Sequence, residues 1–209
     1  MLSLLVKKQL AEIFRSYFYN PKKNTARSRG SIIAMLALFV LLMVASGASE
    51  QGMSQWASAF AESALGVSKT VGDLLGPCMF SLCMGAARLF YAKRGDSISL
   101  LRFIMLSAVL CIAAYLLVAL SPVPALSLLG CALCGLSVGI LWPGVFSLAS
   151  ARFSKGGTAM FALLALAGDV GCGSGPSLVG WLSDLCGGAL KTGLIGAILF
   201  PLLALVCAL

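Results

Sequence analysis

Residues 101–120 read LRFIMLSAVLCIAAYLLVAL, a run whose only charged side chain is Arg102, at its start. A helix of about 20 residues rises about 30 Å, which matches the thickness of the hydrocarbon core of a bilayer. The run is too apolar for the surface of a soluble protein. It therefore predicts a membrane-spanning helix.

Five further apolar runs of similar length surround this one. We number the six predicted segments in chain order as 31–49, 70–92, 101–120, 124–149, 157–182 and 190–209. The chain is 60% hydrophobic and 11% charged, whereas soluble domains hold about 25% charged residues. We predict an all-α membrane protein in which residues 31–209 form one six-helix transmembrane domain.

The first 30 residues differ from the rest in charge. Residues 1–29 hold seven of the fifteen basic residues and a single acid, Glu12. Apolar residues between Leu4 and Phe18 recur at helical spacing among them, which is typical of an amphipathic helix lying on a membrane surface. We therefore interpret 1–30 as a basic cytoplasmic or interfacial segment whose partner is the lipid bilayer, and we expect no nucleic-acid partner.

The loops between the segments differ in charge as well. Basic residues occur at Lys93, Arg94 and Arg102 after segment 2, and at Arg152 and Lys155 after segment 4. Because cytoplasmic loops are enriched in Lys and Arg, these loops and the basic N-terminal segment belong to the same side. We expect a multi-pass protein with a cytoplasmic N-terminus and with 1–29, 93–102 and 152–156 in the cytoplasm.

Segments 2 and 5 share a pattern of glycines. Segment 2 contains Gly72-Asp73, Gly76-Pro77 and Gly85, and segment 5 contains Gly168-Asp169, Gly175-Pro176 and Gly180. The two segments stand three helices apart, as they would in a 3+3 inverted repeat. Chance similarity between glycine-rich helices is the alternative.

Ionisable and polar residues inside membrane segments are functional candidates because they are costly to bury. Asp169, near the middle of segment 5, suits a proton-coupling group or a hydrogen-bond acceptor for a solute, or else a structural partner for a neighbouring helix. We expect it to face the interior of the bundle and not lipid. Polar groups and an aromatic face combine in Glu50, Gln51, Gln55 and Trp56. We interpret them as a continuation of the first helix, broken near Gly47 and Gly52, that contacts a sugar-like solute or forms an interfacial belt.

Several other motifs favour packing over chemistry. Trp142-Pro143 predicts either a kink that opens a cavity or ordinary packing. The Cys131–Cys134 pair lies within an apolar run, and the Gly135–Gly139 and Gly171–Gly175 pairs suit close helix contacts. The chain has no histidine, metal-ligand cluster or catalytic triad, so we expect no enzyme, no metal and no cofactor.

Three passages resemble a known family: Gly47-Ala48-Ser49-Glu50-Gln51, Leu141-Trp142-Pro143-Gly144 and Gly156-Gly157-Thr158-Ala159-Met160-Phe161. Through them, residues from about 44 to 209 resemble the carboxy-terminal half of bacterial major facilitator superfamily transporters. The resemblance implies a 3+3 six-helix half in an inner (plasma) membrane. It also implies symport of a small polar solute with a proton or ion, completed by a second half or a homodimer.

The same resemblance marks Arg88, Lys93 and Arg94 as candidates for the family's gating loop, although no Asp stands where the loop signature has one. Residues 1–43 look instead like the start of an ABC-2-type permease, through Leu5-Val6-Lys7-Lys8-Gln9-Leu10 and Lys22-Lys23-Asn24. An ABC-2-type permease subunit and a non-transporting membrane fragment or assembly protein are the alternative functions.

Overall fold

The computed structural model describes residues 29–66, 68–153 and 156–209, so almost all of the predicted interfacial segment 1–30 lies outside it. The described residues form helices and no strand. The helices are α1 (Arg29–Ser54), α2 (Ala57–Leu65), α3 (Lys69–Arg94), α4 (Leu100–Leu120), α5 (Pro124–Val138), α6 (Leu141–Arg152), α7 (Gly157–Leu185), α8 (Leu190–Ala197) and α9 (Leu199–Ala208).

These helices give six spans that are long and apolar enough to cross a membrane. We number them in chain order as Ile32–Ser54, Lys69–Arg94, Leu100–Leu120, Pro124–Arg152, Gly157–Leu185 and Leu190–Ala208. The prediction of an all-α membrane fold with six spanning helices is confirmed. The division of the whole chain into an interfacial segment and one transmembrane domain stays a prediction.

Spans 4 and 6 are broken, and each break precedes a proline. Span 4 breaks at Gly139-Ile140 and span 6 at Ile198. Proline has no N–H and so cannot bond to the carbonyl four residues earlier. Pro143 and Pro201 stand four residues after Gly139 and Ala197, which places both breaks where the backbone ladder loses a bond.

The break after span 1 lies elsewhere than the sequence predicted. Helix α1 continues through Gly47 and Gly52 and ends at Ser54, and Gln55-Trp56 form the turn into α2. A Cβ at Gly47 would overlap the Gly168 carbonyl, and one at Gly52 would lie 3.0 Å from the Tyr115 hydroxyl. Both glycines therefore serve contacts with neighbouring helices and do not interrupt α1.

The six spans pack in two layers. Spans 2, 4, 1 and 5 form a row, in that order, through the contacts of 2 with 4, of 4 with 1 and of 1 with 5. Spans 3 and 6 contact each other behind this row, span 3 against span 4 and span 6 against spans 1 and 5. We call the row the front layer. In a 3+3 inverted repeat, spans 1, 2 and 3 are equivalent to spans 4, 5 and 6. The contact of span 1 with span 5 is then equivalent to the contact of span 4 with span 2, and both contacts are present.

Glycines allow the closest approaches within the front layer. A Cβ at Gly171 would overlap the Val44 carbonyl, and a Cβ at Gly135 would overlap the Phe80 carbonyl. Small residues at such crossings let two helix backbones approach and gain van der Waals contact, which is a main source of helix association in lipid. The assignment of Gly135–Gly139 and Gly171–Gly175 to packing is confirmed.

The shared glycine pattern of segments 2 and 5 identifies the right pair of helices but not equivalent contacts. Gly72 and Gly76 lie against α2, next to Ser58 and Ala57. Gly171 instead lies against α1. Where spans 2 and 4 cross, the glycines in close contact belong to span 4. Where spans 1 and 5 cross, Gly171 of span 5 makes the close contact, so the two equivalent crossings have their glycines on helices that are not equivalent.

The Cys-x-x-Cys pair lies in the hydrophobic core, as the sequence indicated. Cys131 and Cys134 are fully buried. The sulfur of Cys134 lies 3.9 Å from that of Cys111, and the sulfur of Cys131 lies 3.8 Å from that of Met53. These contacts join spans 1, 3 and 4 behind the front layer.

The orientation in the membrane stays a prediction, which labelling can check. Arg94 ends span 2 and Asp184 lies near the end of span 5, and helix connectivity places these two positions on opposite sides. Single cysteines introduced there, after removal of the native cysteines, should react with a membrane-impermeant maleimide in intact cells at position 184 only. Labelling at position 94 would reverse the orientation.

Candidate functional site

Two buried polar atoms in the described part of the chain have no hydrogen-bond partner: Oε2 of Glu50 and Nε1 of Trp142. Unpaired buried polar atoms are uncommon in folded proteins because each costs about 1–3 kcal/mol. Glu50 lies on span 1 and Trp142 on span 4, which exchange places in the inverted repeat. A hydrogen-bond acceptor, Glu50 Oε2, and a hydrogen-bond donor, the Trp142 indole N–H, are therefore both without a partner in the middle of the front layer.

The crossing of spans 1 and 5 brings these two groups to the same region. The Trp142 ring would contact a Cβ at Gly168, and Gly47 lies against the Gly168 carbonyl. Glu50 follows Gly47 by three residues, which places it about one helical turn away. A Cβ at Gly47 would also lie 3.1 Å from the Cys172 backbone nitrogen, and Asp169 directly follows Gly168. We call Glu50, Trp142, Asp169 and Cys172 the central cluster.

The sequence suggested that Asp169 faces the interior of the six-helix bundle, but the structure does not place it there. Its side chain is exposed, although Gly168 beside it is buried under Trp142. Gly171 and Gly175 of the same helix lie against span 1, and this orientation leaves Asp169 exposed on span 5. The carboxylate of the central cluster that has a buried oxygen is that of Glu50.

Arg88 supports the break in span 4. Its Nε donates a hydrogen bond of 3.2 Å to the Gly139 carbonyl, the group that Pro143 leaves without a backbone donor. Arg88 lies within α3 and not in the loop after it, whereas Lys93 and Arg94 end α3. All three residues are exposed.

Replacing Arg88 by methionine should destabilise the protein. Methionine keeps the aliphatic bulk but removes the donor to Gly139, and loss of a hydrogen bond from a charged group costs about 1.5–3 kcal/mol. We expect a lower melting temperature in detergent. Arg102→Met, at an exposed arginine in span 3, is the control and should change the melting temperature little. Equal shifts for the two variants would mean that Arg88 does not support the break.

Gln51, Gln55 and Trp56 do not join the central cluster through any contact described here. Trp56 Nε1 donates a 3.0 Å hydrogen bond to the Pro176 carbonyl, and its ring would lie 3.0 Å from a Cβ at Gly180. Trp56 thus ties the turn after α1 to span 5. Gln55 is exposed in that turn and Gln51 is half-buried.

Tyr115 positions the backbone beside Glu50. Its hydroxyl donates a 2.8 Å hydrogen bond to the Ser49 carbonyl, the residue before Glu50. Tyr115 is fully buried, and Gly52 provides the space for its hydroxyl. Neither Tyr115 nor the bond from Arg88 to the span 4 break was predicted from the sequence. The proline four residues after Gly139 could have indicated an unpaired carbonyl there.

Spans 2 and 5, at the two ends of the front layer, are exposed but comparatively polar. In their most apolar windows only 17% and 28% of residues are buried, and the mean hydropathy of each is 1.3. Span 6 is also 28% buried, but its mean hydropathy is 2.1. Lipid favours apolar surface, so a helix exposed to lipid should resemble span 6. Spans 2 and 5 therefore suit full exposure to lipid less well than span 6 does, although large apolar side chains such as Leu82 and Trp181 are exposed on them.

The geometry defines a class of protein: a six-span helical membrane protein with an unpaired donor and acceptor in the middle of one layer. The residues described hold no cluster of three or more metal-binding side chains. The family model of the Major Facilitator Superfamily matches residues 5–176. The chain belongs to the major facilitator superfamily, a family of membrane transporters.

The match also bears on the first residues of the chain. It begins at residue 5 and so includes nearly all of 1–43. The resemblance of these residues to an ABC-2-type permease gains no support. No curated protein and no solved structure matches the chain.

Proposed function

We propose that this chain moves a small polar, sugar-like solute across the membrane and that its front layer forms one half of the transport path. The observation that supports this most directly is the pair of unpaired buried atoms, Glu50 Oε2 and Trp142 Nε1. A hydroxyl group both donates and accepts, so one hydroxyl or two neighbouring ones can satisfy both atoms. The indole ring adds the flat apolar face on which a sugar ring packs.

The exposure of spans 2 and 5, together with their low mean hydropathy, supports the second half of the proposal. Asp169 is exposed on span 5 near mid-depth, where a lipid-facing carboxylate costs about 2.5–3.5 kcal/mol on insertion scales. A water-filled path closed by further helices removes that cost. In facilitators the solute site lies between two six-helix halves. A single isolated copy of these six spans should therefore not transport.

Solute binding at the central cluster can be measured with the protein's own fluorescence. Replacing Trp56 and Trp181 by phenylalanine leaves Trp142 as the only tryptophan. Hexoses, disaccharides and polyols titrated into this variant should produce a saturable change in Trp142 emission for at least one solute. The same titration at several pH values should shift if a proton is coupled, and Asp169→Asn tests whether Asp169 carries it.

The outcomes separate the proposal from its alternatives. Saturable quenching that Glu50→Gln weakens supports a solute site at the central cluster. No saturable change across the panel would reject the sugar-like solute and favour a non-transporting membrane protein. An unchanged pH dependence in Asp169→Asn would reject the coupling role of Asp169 and leave it a structural residue.

A further inference from the structure

We infer that the solute carries an apolar ring beside its polar part and that Phe146 and Phe161 bind this ring. We call these two residues the aromatic pair. The inference rests on the proposed function, because it extends the solute site at the central cluster and narrows the class of solute. It depends on the contacts between three aromatic rings, on their exposure, and on the chemistry of the side chains beside them.

The three rings form a continuous row that begins at the central cluster. The ring centroids of Trp142 and Phe146 lie 6.2 Å apart with an interplanar angle of 57°, and those of Phe146 and Phe161 lie 5.7 Å apart with an angle of 40°. Trp142 and Phe146 belong to α6 of span 4, whereas Phe161 belongs to span 5. The row therefore bridges two spans that span 1 separates within the front layer.

The row lies on the same face of span 5 as the central cluster. Phe161, Gly168 and Cys172 follow one another at intervals of seven and four residues, which places them on one face of the helix. Gly168 lies against the Trp142 ring. Consecutive spans are antiparallel, so Phe146, one turn after Trp142, and Phe161, two turns before Gly168, both lie toward the same end of the bundle. At 1.5 Å per residue these steps are about 6 and 10 Å.

Polarity falls along this row. Span 1 runs in the same direction as span 5, and Glu50 follows Gly47, so Glu50 lies beyond Trp142 on the side away from the aromatic pair. The two unpaired atoms, Glu50 Oε2 and Trp142 Nε1, are therefore at one end, and two side chains without any donor or acceptor are at the other. A second sugar ring on the aromatic pair would find no side-chain partner there for its hydroxyls, whereas an apolar ring needs none.

The aromatic pair has surface that a ligand can cover. Phe161 is 37% exposed and Phe146 is half-buried. A second pair of rings, Phe39 and Phe153, lies 5.8 Å apart, but Phe153 is only 4% exposed, so that pair serves packing. The tilt between Phe146 and Phe161 presents both a face and an edge to a third ring, and ring pairs favour such offset or edge-to-face contacts at centroid distances of about 4.5–7 Å.

The experiment uses the chain with Trp142 as its only tryptophan, reconstituted in liposomes. The probes are the methyl and phenyl glycosides of glucose, galactose and mannose, compared hexose by hexose. Burial of the phenyl ring should make the phenyl glycoside bind roughly ten- to hundredfold more tightly than the methyl glycoside. Phe161→Ala should bring the ratio of the two affinities close to one.

The matched control is Phe90→Ala, at a phenylalanine that is 50% exposed on span 2. It should keep the ratio of the two affinities. Both variants are measured in the same membrane, so partition of the phenyl probe into lipid produces no difference between them. Equal loss of the ratio in Phe161→Ala and Phe90→Ala would overturn the inference.

A second variant makes the test independent of the folding of Phe161→Ala. Phe146→Leu removes the other ring but keeps an apolar side chain against the core residues that Phe146 contacts, and the ratio should fall here as well. A ratio close to one before any substitution, or a ratio retained in both variants, would overturn the inference and leave the proposed function standing, because the glycosides still bind.

Two further outcomes complete the test. A disaccharide that binds more tightly than the phenyl glycoside of the same hexose would mean that the aromatic pair takes a second sugar ring, which also overturns the inference. If neither methyl nor phenyl glycosides bind, the proposed function fails and the inference fails with it.

Discussion

Gly171→Val should prevent the folded bundle from forming. The valine Cβ would overlap the Val44 carbonyl and lie 2.9 Å from the Ala48 nitrogen, two backbone atoms that cannot move without α1. Spans 1 and 5 make the largest contact between two helices of the described chain, so separating them removes packing across the middle of the front layer. We expect the variant to be degraded or aggregated, and fluorescence-detected size-exclusion chromatography would show no monodisperse peak.

The same helix supplies the control. Gly173 lies two residues away, and a Cβ there would meet no atom within 4 Å. Gly173→Val has the same helix propensity penalty and the same added volume, but it should give a monodisperse protein with nearly the original melting temperature. Loss of the folded protein in both variants would mean that valine is not tolerated in this part of α7 for reasons other than the crossing.

Glu50→Gln should weaken solute binding roughly ten- to hundredfold and at the same time raise the melting temperature of the free protein. A hydrogen bond to a charged acceptor contributes about 1.5–3 kcal/mol, which accounts for the loss of affinity. Oε2 is buried without a partner, so its charge opposes folding, and a neutral amide of the same shape lowers that cost. Trp142 fluorescence titration and thermal unfolding in detergent measure the two effects.

Glu62→Gln is the matched control, since Glu62 is an exposed acid in α2. It should change neither affinity nor melting temperature. If Glu50→Gln lowered both quantities together, Glu50 would be a structural residue that the fold needs charged. The opposite movement of stability and binding is what a functional residue held in an unfavourable environment predicts.

The number and type of helices could be predicted from sequence because each span contains its own signal. The run at 101–120 is long and apolar by itself, and the helix observed there, Leu100–Leu120, differs from it by one residue. The breaks were harder to predict. Gly47 and Gly52 were interpreted as a helix interruption because glycine weakens helices, but in lipid a glycine more often permits a close crossing, and that depends on the neighbouring helix.

The candidate site could be predicted only in part. Whether a residue faces the site depends on how its helix is rotated about its own axis, which the sequence of that helix does not specify. Glu50 and Trp142 were both singled out from sequence, and the structure brings them to the same crossing. Asp169 was placed inside the bundle because of its depth in the segment, yet depth does not specify which face of a helix a residue occupies. Arg88 was assigned to a loop by resemblance, and its bond to Gly139 depends on the packing of span 2 against span 4.

Spans 1 and 4 exchange places in the inverted repeat but differ in how they can bend. Span 1 has a continuous backbone ladder through the crossing, and Trp56, just after its last residue, donates a hydrogen bond to the Pro176 carbonyl of span 5. Spans 1 and 5 should therefore tilt as one rigid unit. Span 4 is interrupted at Gly139, where a single side-chain bond from Arg88 replaces the missing backbone bond. Opening and closing of this layer would then be asymmetric about the pseudo-twofold axis. Span 4 would bend at a hinge at Gly139, whereas spans 1 and 5 would move as a rigid body.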